Sequence, residues 1–256
     1  MMTPLDSVIL GIVEGITEFL PISSTGHLIL AAELLGLTPT EFLKSYEIVI
    51  QLGAIAAVVF LYWKSFLDLE VIKRLLAAFI PTAVIGFFLY SFIKDYLFES
   101  MEVILASLFL GGIALIALEF FHKEKEDAHK DVKDISYLQA FFIGLIQALA
   151  VIPGVSRSGA TIVGGLLLGV SRVAIVEFSF LLAVPTIAAA TGYDILKNSH
   201  VFTENDFMLL AIGFVVSFLV AIAAIKFLLN FIRNYTFIPF GIYRILLALV
   251  FFFVIL

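Results

Sequence analysis

The chain has 256 residues, of which 62% are hydrophobic and only 14% charged, with a mean hydropathy of +1.14. A soluble domain carries about 45–50% apolar and about 25% charged residues, so there is too little polar surface here for a secreted or cytosolic enzyme, and too much apolar surface for a disordered chain. A net charge of −6 leaves no basic face for nucleic acid, and the absence of cysteine excludes disulfides, thiolate metal sites and cysteine nucleophiles.

The first apolar stretch runs from Leu5 to Leu20. It meets the polar run Pro21-Ile22-Ser23-Ser24-Thr25-Gly26-His27 and resumes from Leu28 to Leu37. Continuous apolar stretches follow at about 45–63, 71–93 and 102–121, each near the roughly 20 residues that a membrane span needs. A charged linker, His122 to Asp134, comes next. A second broken stretch runs from Ile135 to Ile152, meets Pro153-Gly154-Val155-Ser156-Arg157-Ser158-Gly159, and resumes from Ala160 to Val170. Three more continuous stretches close the chain, at about 172–193, 207–230 and 238–256. Each resumed piece is about half a membrane thickness, which predicts a helix, a polar turn at depth and a half-helix returning. Such backbone is tolerated only where protein or a wet cavity surrounds it. The expected fold is an all-α integral membrane protein with six full transmembrane helices and two re-entrant helix pairs. The amino terminus has no basic region or small-residue cleavage site, so no removable signal peptide is expected.

The two broken stretches match at a single ungapped offset of 133 residues. Gly11 falls on Gly144, Ser23 on Ser156, Gly26 on Gly159 and Leu34-Leu35-Gly36 on Leu167-Leu168-Gly169. Leu matches are cheap in such a composition, whereas Gly and Ser matches at one offset are not. One membrane domain of two halves is expected, about 1–121 and 135–256, joined by linker 122–134. Three crossings per half invert the second half relative to the first. With that scheme Lys64, Lys73, Arg74, Lys123, Lys125, Lys130, Lys133, Arg172, Lys226 and Arg233 share one side, against Lys44, Lys94 and Lys197 on the other. The richer side is cytoplasmic by the positive-inside rule. Both termini are then extracytoplasmic, and the two polar turns meet near the midplane.

The chemistry concentrates at those turns. Glu14 and Glu18 are spaced i, i+4 on one helix face, where two buried carboxylates share a proton or a cation. Ser23, Ser24 and Thr25 suit the start of the half-helix, whose free amides and positive dipole end would face the midplane. Ser24 and His27 are i, i+3, so a hydroxyl and an imidazole can share a face as an activated nucleophile, or serve only as a cap and a buried histidine. Arg157, between Ser156 and Ser158, must pair at such depth, either with a phosphate-type ligand or with Glu14 or Glu18. Glu47, Gln51 and Glu177 either face the cavity or join helices. Arg244, about two turns into the last span, is expected to snorkel to the cytoplasmic face. His122 and His129 are expected in a solvated loop.

Glu14-Gly15-Ile16-Thr17-Glu18-Phe19-Leu20-Pro21-Ile22-Ser23-Ser24-Thr25-Gly26-His27 resembles the glutamate-rich first motif of the undecaprenyl-diphosphate phosphatase family of the bacitracin-resistance type. Pro153-Gly154-Val155-Ser156-Arg157-Ser158-Gly159-Ala160-Thr161 resembles its second motif. Glu47 to Gly53 and Phe240 to Arg244 are similar to further family segments, so the resemblance covers nearly the whole chain.

That resemblance implies a bacterial inner-membrane hydrolase of the acid-anhydride class. It removes one phosphate from a C55 polyprenyl diphosphate and recycles the lipid carrier for cell-wall synthesis, with bacitracin resistance as a consequence. It implies catalytic Ser24, His27 and Glu18, with Arg157, Ser23, Thr25, Ser156, Ser158 and Thr161 on the substrate. It also implies a divalent cation, Mg²⁺ or Ca²⁺, at Glu14 and Glu18. Ser24 is the expected nucleophile, with His27 as its base; attack by His27 itself or by a metal-bound water stays open. Partners would be the lipid diphosphate and membrane lipid, with no nucleic acid; a homodimer stays open. The rival is a polyprenyl-phosphate transporter or flippase, since inverted repeats with broken helices are also transporter architecture.

Overall fold

The computed structural model describes residues 2–96, 100–121, 131–198 and 206–255. His122, His129 and most of the charged linker lie outside the described residues. Helices are the regular elements of the described residues, with no strand among them.

Helix α1 (Pro4–Thr17) begins with a capping box from Thr3 and Asp6. It stops before the polar turn, and α2 (Ser24–Leu34) begins beyond it. Three long helices follow: α3 (Glu41–Tyr62), α4 (Leu69–Tyr96) and α5 (Met101–Phe121). The second broken stretch forms α6 (Tyr137–Gln147), a 3₁₀ turn at Ala148–Val151, and α7 (Arg157–Leu167). The chain closes with α8 (Arg172–Asn198), α9 (Asp206–Ile232) and α10 (Ile238–Ile255). Five helices are long and apolar enough to cross a membrane, within α3, α4, α5, α8 and α9. The chain is therefore an integral membrane protein. The stretch expected as a sixth span is the shorter α10, of 18 residues.

The two short helices share their end structures. Ser23 and Ser156 cap α2 and α7 with positive φ, 74° and 80°, where an L-residue is strained. Each hydroxyl accepts from the glycine amide three residues on, Gly26 at 3.3 Å and Gly159 at 3.0 Å. At the other ends Gly36 and Gly169 take the left-handed conformation, φ 66° and 82°. Leu37 N–H then reaches Ala32 O, and Val170 N–H reaches Gly165 O, each at 3.0 Å. That is the Schellman termination, for which glycine pays no Cβ penalty. At 11 residues each, α2 and α7 rise about 16 Å, roughly half a hydrocarbon core.

Packing is interlocked between the two ends of the chain. Helix α1 lies on α9, α6 lies on α4, α3 touches both α8 and α9, and α5 pairs with α10. Small residues permit the close approaches, since lipid gives no hydrophobic drive between helices and backbone contact must supply the affinity. A Cβ on Gly15 would come within 2.7 Å of Ser217 O, and one on Gly144 within 2.8 Å of the Ala78 Cα.

Charged side chains gather at one end of the bundle. Lys133 pairs with Asp68 at 2.6 Å and holds that carboxyl below its ordinary range. Arg74 donates to Ile135 O at 2.6 Å, and Arg172 pairs with the buried Glu119 at 2.6 Å. Glu119 also accepts from Phe237 N–H, which fastens the start of α10.

Candidate active site

The two polar turns meet, and the hydrogen bonds between them run from the first residues of α7, Arg157 and Ser158, to Glu18 and Phe19 just beyond α1. Glu18 is at the centre. One carboxylate oxygen accepts a short hydrogen bond from the Ser24 hydroxyl. The other accepts from Arg157 Nη2 at 2.6 Å. Arg157 Nη1 donates to Ser179 O at 2.7 Å, and the guanidinium carbon lies 5.9 Å from the Phe19 ring centre. Its Nε is buried with no partner among the described residues. Ser24 and Arg157 each stand one residue after a capping serine, so both occupy the first position of a half-helix. Glu18 thereby receives one group from each turn.

A cavity of about 230 Å³ is lined by Glu18, Ser23, Ser24, Thr25, Ser156 and Arg157, with Gln51, Thr82, Gln147 and Thr186 on its far wall. Four expected site residues stand behind these walls. Ser158 is fully buried and donates to Phe19 O at 2.8 Å, so its hydroxyl ties the turns together. The single hydroxyl proton of Thr161 is shared between Arg157 O at 2.9 Å and Gln147 Oε1 at 3.1 Å. Glu14 is fully buried one turn behind Glu18, and both its carboxylate oxygens lack a hydrogen-bond partner among the described residues. His27 is held between Ser23 O, at 2.7 Å from Nδ1, and the Tyr243 hydroxyl, at 2.8 Å from Nε2.

The expected pairing of Ser24 with His27 is therefore replaced. Ser24 sits at the first position of α2, where its hydroxyl turns toward the Glu18 carboxylate, while His27 turns toward α10. Arg244 also departs from expectation. It is 1% exposed and does not snorkel. Its Nε donates to Leu108 O, its Nη1 to Pro21 O and Val155 O, and its Nη2 to Ser107 O and Gly154 O, at 2.9–3.2 Å. Five N–H groups meet five carbonyls, so this buried cation is solvated by backbone and ties both turns to α5.

Several site residues carried no sequence signal of their own. Ser179, Thr82, Thr186 and Tyr243 look like ordinary polar residues of apolar helices. Gln147 was reachable, because the offset of 133 residues places it on Glu14.

The 230 Å³ cavity shares six lining residues with a larger one of about 660 Å³: Thr25, Gln51, Thr82, Val151, Thr186 and Ala190. The larger space has mostly apolar walls, among them Ile48, Phe79, Phe87 and Phe88, with the buried Glu47 also on its lining. Its rim carries Glu41, Lys44, Asp194 and Asn198, at the end of the bundle opposite the Lys133–Asp68 pair. The geometry is that of a polar, anion-compatible pocket floored by a hydroxyl and a carboxylate, continuous with an apolar chamber. Such a space fits an amphiphile with an oxyanion head.

The profile of the family described as Bacitracin resistance protein BacA matches residues 7–250. The chain belongs to the BacA family. Among its BacA relatives, an undecaprenyl-diphosphatase from Sulfurihydrogenibium sp. (strain YO3AOP1) is 56% identical over 251 residues, covering 98% of this chain and 99% of that protein. One from Persephonella marina is 53% identical, covering 96% and 97% of the two chains. One from Aquifex aeolicus is 52% identical, covering 98% of each. Both polar turns fall inside the matched BacA region.

A divalent cation was expected at Glu14 and Glu18. Among the described residues no group of three or more His, Asp or Glu side chains gathers as a metal cluster. The two unpartnered oxygens of Glu14, beside Glu18, nevertheless form a donor set for a hard cation. Mg²⁺ is commonly held by one or two carboxylates, with substrate phosphate and water completing the shell. The residues fit that mode of binding.

Proposed function

We propose that this chain hydrolyses undecaprenyl diphosphate to undecaprenyl phosphate and inorganic phosphate, as its relatives are named for doing, and so recycles the lipid carrier of cell-wall synthesis. Bacitracin resistance follows if the drug acts by sequestering the diphosphate lipid. One observation carries the chemistry. A single carboxylate, Glu18, holds the hydroxyl of Ser24 and the guanidinium of Arg157 on the wall of a polar cavity that continues into an apolar one.

The prenyl tail occupies the apolar cavity and the diphosphate enters the polar one. Ser24 Oγ attacks the terminal phosphorus, its proton passes to Glu18, and the bond from phosphorus to the bridging oxygen breaks. The lipid leaves as the monophosphate. Glu18 gives the serine proton to that leaving monophosphate; water then attacks the phosphoserine, its proton passes to Glu18, and Glu18 returns a proton to Ser24 Oγ as phosphate departs. Arg157 and the first amides of α2 and α7 stabilise the equatorial oxygens in the transition state, which is where positioned donors accelerate phosphoryl transfer. Ser23 and Ser156 line the pocket and help seat the terminal phosphate, and Thr25, on the wall nearer the apolar cavity, also contacts the diphosphate. Ser158, Thr161 and His27 act through position, holding the two turns and the Ser23 carbonyl. A divalent cation, Mg²⁺ or Ca²⁺, held by Glu14 and Glu18 would neutralise phosphate charge on binding.

The same reading proposes six full spans, with α10 as the sixth, and two re-entrant pairs, α1–α2 and α6–α7, in halves of inverted orientation. Shared end structures at an offset of 133 residues support it, as do the interlocked packings of α1 on α9 and α6 on α4. The protein would lie in the bacterial inner membrane with both termini extracytoplasmic. The rim of the apolar cavity would open on that same side, between the start of α3 and the end of α8.

The test is purified protein in detergent with undecaprenyl diphosphate, assayed for released phosphate. Release needs no sealed membrane, whereas transport does. Binding without release would leave a transporter as the better account.

A further inference from the structure

The six residues shared by the two cavities define a neck, and the neck contains no charged side chain. If the terminal phosphate is placed at Ser24 and Arg157, as the hydrolase reading places it, and the tail in the apolar cavity, the phosphate that stays on the lipid must sit at this neck. Four of its residues carry polar side chains: Thr25, Gln51, Thr82 and Thr186. Two of these have already spent their protons. Thr82 donates to Gly144 O at 2.7 Å, and Thr186 to Leu182 O at 2.8 Å, so each hydroxyl can only accept. Gln147, on the adjoining wall, gives its amide to Thr82 at 2.9 Å. Neither Gln51 nor Thr25 makes a side-chain hydrogen bond to another described residue, and both face the two cavities at once. A phosphate needs donors, and these two side chains are the donors left at the neck.

We infer that Gln51, assisted by Thr25, is the subsite for the phosphate retained on the lipid, and that its neutrality sets the preference for diphosphate over monophosphate. The terminal phosphate meets a cation at Arg157. The retained one meets only a neutral amide and a hydroxyl. Both phosphates are ionised, so every donor bond to them is charge-assisted, but only Arg157 adds the direct attraction of an opposite charge. A lipid diphosphate therefore spans both subsites, while the lipid monophosphate keeps only the weaker. Product release is favoured by the same arrangement that binds substrate. Gln51 is placed here by α3, one helical turn after Glu47, and no Lys or Arg of α3 reaches the neck.

The inference rests on the hydrolase reading, and its test separates the two. The full chain is purified in detergent and given farnesyl diphosphate as substrate, with farnesyl phosphate and inorganic phosphate as competing inhibitors. The variants are Gln51→Leu, which removes the donors, and Gln51→Glu, which places a negative charge at the neck. Gln51→Leu should raise both the KM for farnesyl diphosphate and the Ki for farnesyl phosphate about tenfold, the loss expected for donors to a charged group. Gln51→Glu should raise both further, while the Ki for inorganic phosphate, bound at Arg157, stays unchanged. A farnesyl phosphate Ki equal to wild type in both variants overturns the subsite, as does a parallel rise in the two Ki values. An unfolded variant is recognised by its melting curve, and the other variant then decides. Absence of phosphate release by the wild-type protein overturns the hydrolase reading itself, and the subsite with it.

Discussion

Arg244 lies against Gly111, the residue 133 positions before it, and its guanidinium fills the space that a side chain at Gly111 would need. A Cβ there would stand 2.6 Å from the guanidinium carbon. The two positions correspond under the offset that relates Ser23 to Ser156. Only one of the pair can carry an arginine, because both would point into the same small space between the turns.

That relationship makes a stability prediction. Arg244→Lys keeps the charge but offers three N–H groups in place of five, leaving buried carbonyls and part of a charge unmatched. It should destabilise by about 3–5 kcal/mol. Gly111→Ala should lower the melting temperature in the same direction, because the arginine, fixed by five bonds, cannot give way cheaply. A Gly111→Ala protein that melts like wild type would show the guanidinium to be movable and the five bonds to be weak.

Glu18 and Arg157 should be needed for turnover more than for folding. Glu18→Gln keeps the shape but cannot accept the Ser24 proton, and a loss of about 10²–10⁴ in kcat is expected for a general base. Arg157→Lys keeps a cation but loses the planar fork shared between Glu18 and Ser179 O. It should lose roughly 10²-fold or more in kcat/KM, about 3 kcal/mol of transition-state stabilisation. Near-wild-type phosphate release by Arg157→Lys, at matched folded amount, would reduce Arg157 to a structural partner of Glu18.

His27 should matter less than Glu18. Its ring touches Ser23 O and the Tyr243 hydroxyl, not Ser24. His27→Gln should therefore reduce kcat by about tenfold, the effect of a shifted cap, and Tyr243→Phe by less, against the larger loss at a true base. If His27→Gln instead falls as far as Glu18→Gln, the histidine takes the Ser24 proton and the geometry of the complex differs from that of the free protein.

Cation removal tests the role of Glu14. Exhaustive chelation should abolish phosphate release, and Mg²⁺ or Ca²⁺ should restore it. Glu14→Gln should raise the half-saturating Mg²⁺ concentration by about tenfold or more, in line with the loss of one charged ligand. Full activity after chelation would leave Glu14 without a metal-binding role.

Orientation is testable by reporter fusion. Both termini are expected outside, because that choice puts ten basic residues in and three out. A carboxy-terminal fusion that reports a cytoplasmic location would reject this orientation.

Much of this protein was legible without coordinates because a bilayer permits so few solutions. Runs of about 20 apolar residues can only be spans. A run broken by Pro21-Ile22-Ser23-Ser24-Thr25-Gly26-His27 must hide its polar backbone inside protein. The matched Ser and Gly positions of the two turns followed from one offset, and a start of α2 near Ser24 or Thr25 followed from capping chemistry, with Ser24 the observed first residue. The residues worth attention at the turns were thus fixed by residue type and spacing.

The partners of those residues were decided only by tertiary structure. Spacing i, i+3 allows Ser24 to face His27, but the other turn brings Arg157 to Glu18, and Glu18 in turn takes the Ser24 hydroxyl. Arg244 sits at a depth from which a long side chain can reach water. It stays inside because five carbonyls from three segments converge on it, the nearest of them 89 positions away in sequence (244 − 155). Gln51 and Thr25 are ordinary polar residues until the packing of α2, α3, α4 and α8 makes them the neck between two cavities. Local sequence sets which helix face a side chain can occupy. What meets it there depends on contacts between segments remote in the chain, and those follow from the closest packing of small residues.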